Sequence, residues 1–321
     1  MRSPWKIVLG ILTTAVLLWF LLREIQFQHI GAVLSALRPW FISLAAVSYV
    51  FCYAARAWRF RILLSRRLPF VPLFGIVSLH NFFTSILPAR TGELSYVVLT
   101  HNRKIPVSHG LATLLLARLL DFLVVTVVFF VTLPLLPAIP GPLQGALWMI
   151  AIFLGIITTG IVAFLCLGER FVILLRVVLE QLRLGRVPIV SRVLGKLQEG
   201  VAISAELRTL RNIILLLGST IFVWIFQYLT YFALVHGMGM DLPLHIVVLA
   251  MSFISLASAI PIQGIAGFGV NEGWWTVAYT ALGLETTLAI SSGFVQHIVI
   301  LFFYTILGLL GLLILRWPKK R

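Results

Sequence analysis

Two short clusters of charged and helix-breaking residues interrupt an otherwise apolar chain. The first is Leu87-Pro88-Ala89-Arg90-Thr91-Gly92-Glu93; the second runs from Pro261 to Glu272 through Gly264, Gly267, Gly269 and Asn271. Arg90 offers a planar fork of donors suited to a phosphate, and Glu93 is placed to orient that group or exchange a proton. The competing reading is that the two charges neutralise each other. In the second cluster the glycines let the backbone bend and bare its N–H groups. A short helix beginning near Asn271 then aims its positive end inward, where an anionic headgroup would sit. Glycines needed only for tight helix packing are the alternative. Glu272 is expected as a partner for Arg90 or Arg118, or as a titrating coupling group. Arg118 and Asp121, three residues apart, share a helix face and read either as an intrahelical ion pair or as part of the same site.

Charges and broken helices at membrane depth are tolerated where protein or a watery cavity encloses them. Arg90, Glu93, Arg118, Asp121, Asn271 and Glu272 are therefore the candidate substrate-binding residues. Pro88, Gly92, Pro261, Gly264, Gly267 and Gly269 are the breaks that would present them. His297, near Ser291, Ser292 and Gln296, reads as a proton-relay member or as a histidine bonded to a neighbour. His80 and Asn81 read the same way. No metal or cofactor is expected, because the seven histidines and two cysteines fall outside metal-ligand spacing. The G-x-x-G-x-G spacing follows no strand and is not a dinucleotide fingerprint. No nucleophile–base pattern is visible, so a catalytic role lacks support.

These residues need elements to hold them, and composition says of what kind. The 321 residues are 60% hydrophobic and 11% charged, with a mean hydropathy of +1.06, which is the balance of an integral membrane protein. Almost every residue lies in or beside an apolar segment, so we expect a single integral membrane domain over 1–321 without a separate soluble catalytic part. The net charge of +15 would suggest nucleic acid in a soluble protein, but here the basic residues cluster beside apolar spans, as contact with anionic lipid requires. Cys52 and Cys166 lie in separate apolar stretches and suggest no disulfide framework.

Six stretches are long enough to cross a bilayer, about Trp5–Leu22, Trp40–Ala57, Val107–Leu133, Leu143–Leu167, Ile213–Val235 and Thr286–Leu315. The first lacks a small-residue cleavage site and reads as a retained helix. Two shorter units, about 72–102 and 244–282, contain the breaks. If the first of these enters and leaves by one face, all but Arg23, Arg38, Arg90 and Arg118 of the 25 basic residues fall on a single side. That side is then cytoplasmic, with both termini inside. A complete crossing by 72–102 would instead put the basic loop at 169–211 outside. The first arrangement gives two re-entrant hairpins pointing at each other from opposite leaflets, the signature of an inverted repeat. Residues 169–211 read as two cytoplasmic amphipathic helices, lying on the leaflet or packed on the bundle. In the first, Phe171, Leu174, Leu175, Val178 and Leu182 share the apolar face.

Four segments together resemble the membrane region of lysyl-phosphatidylglycerol synthases and the flippase-like family that shares it. They are Arg56-Ala57-Trp58-Arg59, Leu87 through Glu93, Ala117-Arg118-Leu119-Leu120-Asp121, and Pro261 through Glu272. The chain departs from the pattern at Gln263, where glycine is common, and adds Asn271. The resemblance implies a helical bundle that binds or translocates lipids with polar or charged headgroups. The expected fold is all-α and polytopic, with about six spanning helices plus the two hairpins, in a bacterial or archaeal cytoplasmic membrane. The expected function is movement of a lipid, either an anionic phospholipid or a polyprenyl-phosphate-linked substrate. Two other classes stay open: an enzyme modifying a lipid headgroup with Glu93 or Glu272 as general base, and a non-transporting partner in envelope biogenesis.

Overall fold

The computed structural model describes residues 31, 33–136, 152, 154–160, 163, 167–181, 194–195, 209–259 and 264–316, and at 88–90 and 265 the backbone alone. The expected span Trp5–Leu22 lies outside these residues, as do most of Leu143–Leu167, the second amphipathic helix and Pro261. Among the described residues all regular structure is helical. In chain order the helices are α1 (Pro39–Leu63), α2 (Phe70–Ile86), α3 (Leu94–His101), α4 (Val107–Thr132), α5 (Glu169–Gln181), α6 (Leu210–Gly237), α7 (Leu244–Ala257), α8 (Val270–Ala281) and α9 (Thr286–Arg316). Four are long and apolar enough to cross a membrane: α1, α4 with its 3-10 extension to Leu135, α6 and α9. This is a membrane protein with transmembrane helices.

Proline marks several of the boundaries. Pro39 opens α1, where its missing N–H costs nothing. Pro72 is tolerated within the first turn of α2. Leu87, held extended at φ −78 and ψ 134 by the proline after it, closes α2.

α1 and α6 run antiparallel over much of their length, since the Arg38 N–H at the start of α1 donates to the Gly237 carbonyl at the end of α6 (2.8 Å). α2 lies against α9, and α7 against α4. Small residues permit the α2–α9 approach: a Cβ on Gly311 would stand 2.7 Å from the Gly75 carbonyl oxygen.

α2 has 17 residues and α7 has 14, about 26 and 21 Å of helix, short of the ~30 Å hydrocarbon core. Each is followed by a 3-10 turn, Pro88–Glu93 or Ile265–Gly267, and then by a shorter helix that packs back against it. In the first unit Ser95 on α3 reaches His80 on α2 at 3.3 Å; in the second the Phe253 and Trp274 rings meet edge to face. The two turns also contact one another.

Two sequence expectations change here. α1 continues beyond Ala57 to Leu63, so Arg56 and Arg59 are not loop charges; Arg59 is 2% exposed inside the bundle. The α1–α4 contact supplies the acid that makes this burial tolerable. In α5 the inward face consists of Phe171, Val172, Leu175 and Leu179, which pack on the core, whereas Leu174 and Val178 point outward. A half-apolar helix leaves more than one stripe available, and tertiary packing selects among them.

Candidate functional site

The polar side chains buried by this packing surround one cavity of about 560 Å³. Its walls come from α1, both short units, α4, α6 and α9. That volume lies within the ~300–1,000 Å³ usual for small-molecule sites, enough for a headgroup.

The ion pairs differ from those expected. Asp121 does not pair with Arg118 along α4. Its two carboxylate oxygens instead receive both terminal nitrogens of Arg59, at 2.6 and 2.9 Å, and Oδ1 also accepts from Trp224 Nε1 at 3.0 Å. Arg118 turns to Glu93 on the first turn, Nη2 to Oε1 at 3.1 Å. Residues three apart on a helix are neighbours, yet a partner on the next helix can meet the guanidinium fork face on and outcompete them. Glu93, Arg118 and Asp121 all line the cavity. The backbone of Arg90 is placed on the turn, and its side chain lies outside the described residues.

Gly92 lets this turn close for a steric reason. It is not in the left-handed region; instead a Cβ there would collide with the Phe83 carbonyl and the Thr84 nitrogen. The turn is folded against the end of α2 with no room for a side chain.

The second turn is built around Glu272. Gly269 adopts φ 82, a backbone only glycine enters freely, and caps α8. Its N–H donates to Glu272 Oε2 at 2.8 Å, the reciprocal bond of a capping box. The other oxygen, Oε1, meets His297 Nδ1 at 2.6 Å. The Nε2 of the same ring lies 3.0 Å from the Ala266 carbonyl oxygen and 3.1 Å from Asn271 Nδ2. The expectation that Glu272 pairs with Arg90 or Arg118 is therefore corrected: its partners are His297 and the backbone of its own helix. Glu272 is fully buried and stands outside the cavity lining, whereas Asn271 and His297 are on it. α8 starts at Val270, with Asn271 in its first turn. Gly267 has φ 77, and the carbonyl of Gly264 accepts its N–H at 3.2 Å.

Sequence reasoning missed Arg56 as a member of this site. It lines the cavity from α1, Nη1 donating to Asn81 Oδ1 at 3.3 Å and Nη2 to Gln227 Oε1 at 2.9 Å. Arg56 and Arg59, like Arg118 and Asp121, stand at i and i+3, a spacing that could have placed them on one inward face. Cys52, one turn before Arg56, is a buried free thiol that donates to the same Gln227 oxygen at 3.3 Å. Among the described residues, no group of three His, Cys, Asp or Glu side chains gathers in a way that could hold a metal ion.

Residues 7–308, nearly the whole chain, match the family model described as the lysylphosphatidylglycerol synthase TM region. No curated protein and no solved structure matches the chain.

Proposed function

We propose that this chain, which belongs to the family of lysylphosphatidylglycerol synthase transmembrane regions, is a lipid carrier. It takes a lipid with an anionic or otherwise charged headgroup into the central cavity and releases it to the other leaflet. The observation that carries the reading is the polar cavity itself: about 560 Å³, walled by ion pairs and buried amides, at the junction of two broken units in a membrane protein. Charged groups enclosed at membrane depth mark substrate and ion pathways in many membrane proteins. The volume suits a headgroup, leaving the acyl or prenyl tail in the bilayer.

The two short units are re-entrant hairpins in this reading, entering from opposite faces, and the two halves form an inverted repeat. The packing pattern supports it. Exchanging α1 to α4 for α6 to α9 in order maps α2–α9 onto α7–α4, α3–α4 onto α8–α9 and α1–α2 onto α6–α7, and each of these pairs is in contact. The α1–α6 contact and the turn–turn contact map onto themselves. Alternating access then consists of rocking one half against the other about the shared site. Both termini, the charges at Arg103 and Lys104, and α5 lie on the cytoplasmic side, and α5 rests on that leaflet through its outward Leu174 and Val178.

Reconstitution into liposomes carrying a fluorescent phospholipid or polyprenyl phosphate in both leaflets tests this. Quenching by an external reductant should proceed past the outer-leaflet fraction only in protein-containing vesicles. If the plateau equals that of empty vesicles for every anionic lipid, the carrier reading fails. Recovery of a chemically altered lipid would move the assignment to a headgroup-modifying enzyme.

A further inference from the structure

The imidazole of His297 on α9 is held between two acceptors, a carboxyl oxygen and a backbone carbonyl. Its Nδ1 lies 2.6 Å from Glu272 Oε1, and its Nε2 lies 3.0 Å from the Ala266 oxygen. A neutral ring carries one N–H and cannot donate at both ends. With both contacts made, the pair holds one proton more than a carboxylate beside a neutral ring, whether that proton sits on Nδ1 or on Oε1. A third neighbour provides for its departure. Asn271 Nδ2, a donor, stands 3.1 Å from the same Nε2. Stripped of its hydrogen, Nε2 becomes an acceptor for the Asn271 N–H, while Nδ1–H stays on Glu272. One nitrogen thus has a partner ready in each protonation state.

The ring also stands between the carboxylate and the cavity: Glu272 is fully buried and off the lining, whereas His297 and Asn271 are on it. The proton bears on the backbone as well. Ala266 takes φ 52 and ψ 18, a left-handed conformation that a residue with a Cβ seldom adopts, and its carbonyl receives Nε2–H. Losing that donor loosens the second turn, which touches the first turn and α2. The charged groups across the cavity are already engaged: Asp121 holds Arg59, Glu93 holds Arg118, and Arg56 lies on Asn81 and Gln227. Tyr231 on α6 and Tyr304 on α9 line the same space, and Tyr279 lies further along α8. α2 brings His80, turned to Ser95 at 3.3 Å, and α7 carries His245 in its first turn. Among the described residues Glu272 is the one acid paired with His297.

We infer that Glu272 and His297 form a proton-binding site and that the carrier takes up one proton together with its cargo. The proton enters at Nε2 from the cavity and leaves by the same nitrogen. Its arrival raises the charge of the site by one and frees the Asn271 N–H into the cavity, so a negatively charged ligand and the proton favour each other's binding. Its departure frees the turn. The coupling rests on the carrier reading, while the proton site itself stands apart from transport.

Two measurements on the full chain test it. In vesicles of phosphatidylcholine with a trace of fluorescent phosphatidylglycerol in both leaflets, an acid interior should raise the fraction of label open to an external reductant. One proton per lipid allows about tenfold in the leaflet ratio per pH unit, and about threefold or more is expected. A protonophore should abolish the effect. Glu272→Gln keeps an oxygen for the Gly269 N–H and offers an amide N–H to Nδ1, so Nε2–H can stay on Ala266 without an added proton. This variant should show no response to the gradient. In detergent, nitrogen-15 NMR of the histidine-labelled chain, assigned with His297→Gln, should show hydrogen on both His297 nitrogens at acid pH and on Nδ1 alone as pH rises. Asn271→Leu, which removes the donor serving the bare nitrogen, should keep hydrogen on Nε2 at a pH where the wild type has lost it; this variant decides if Glu272→Gln does not fold. An unchanged His297 pattern between about pH 5 and 9, lipid movement indifferent to the gradient, or a gradient effect that survives Glu272→Gln overturns the inference. Vesicles that move no lipid while Nε2 gains and loses its hydrogen would sink the carrier reading and leave the proton site standing.

Discussion

Arg59 on α1 reaches Asp121 on α4 with both terminal nitrogens, at 2.6 and 2.9 Å, and is itself only 2% exposed. The pair ties one spanning helix to another, and Trp224 on α6 adds a third helix through the same carboxylate. A charge pair so placed gives little net stability against a hydrophobic substitute, but it is costly to halve.

Asp121→Leu should therefore destabilise the protein by about 3–5 kcal/mol, since it strands the buried guanidinium. The double variant Arg59→Met with Asp121→Leu should recover most of that loss. Thermal unfolding in detergent, followed across the four members of the cycle, measures both effects; additive losses would contradict the pairing.

Gly92→Ala should fold poorly. Its methyl group would collide with the backbone at Phe83 and Thr84, and backbone cannot swing aside as a side chain can. Over-packing costs typically about 1–3 kcal/mol, and this site lies at the upper end. Yield of monodisperse protein and melting temperature provide the measurement. Gly273→Ala on α8, where the space is open, is the control expected to behave as wild type.

Glu272→Ala should cost more stability than an ordinary capping loss of about 0.5–2 kcal/mol, because it removes the Gly269 cap and the His297 partner together. His297→Ala leaves the cap in place. A cycle of the two variants should show a coupling of about 0.5–3 kcal/mol. A coupling near zero would mean the 2.6 Å contact contributes nothing to the folded state.

Gly311→Leu should separate α2 from α9, given that even a Cβ would stand 2.7 Å from the Gly75 carbonyl oxygen. Lowered melting temperature with loss of lipid movement is the expected outcome. A variant as stable as wild type would show that the two helices can part without consequence.

Cysteine accessibility in a background lacking Cys52 and Cys166 checks the orientation. Arg38 and Asp241 are exposed and pair at 3.3 Å, so cysteines there should be labelled from the same, external, face. Cysteines at Lys104 and Arg170 should be labelled from the other. Labelling of Lys104 and Arg170 from opposite sides would remove the re-entrant geometry.

Much of the architecture was legible in the chain because hydropathy and proline act locally. The four described spans begin and end within a few residues of the apolar stretches that mark them, except that α1 runs on to Leu63. It does so because its last turns are buried by neighbours rather than by lipid, and a hydropathy window penalises arginine without knowing what faces it. The polar breaks were legible for the same local reason, as prolines and glycines flanked by charge.

By itself the sequence determined a helical membrane protein broken at two sites, with arginines and acids gathered near the breaks. Only the tertiary structure decided who partners whom. Arg59 and Asp121 are 62 residues apart, and Glu272 and His297 are 25 apart; no local spacing announces either pair. Partner choice is a competition among all groups brought within reach, settled by fork geometry and burial. That competition sets Arg56 on the amides of Asn81 and Gln227, a fact that no inspection of neighbouring residues along the chain could supply.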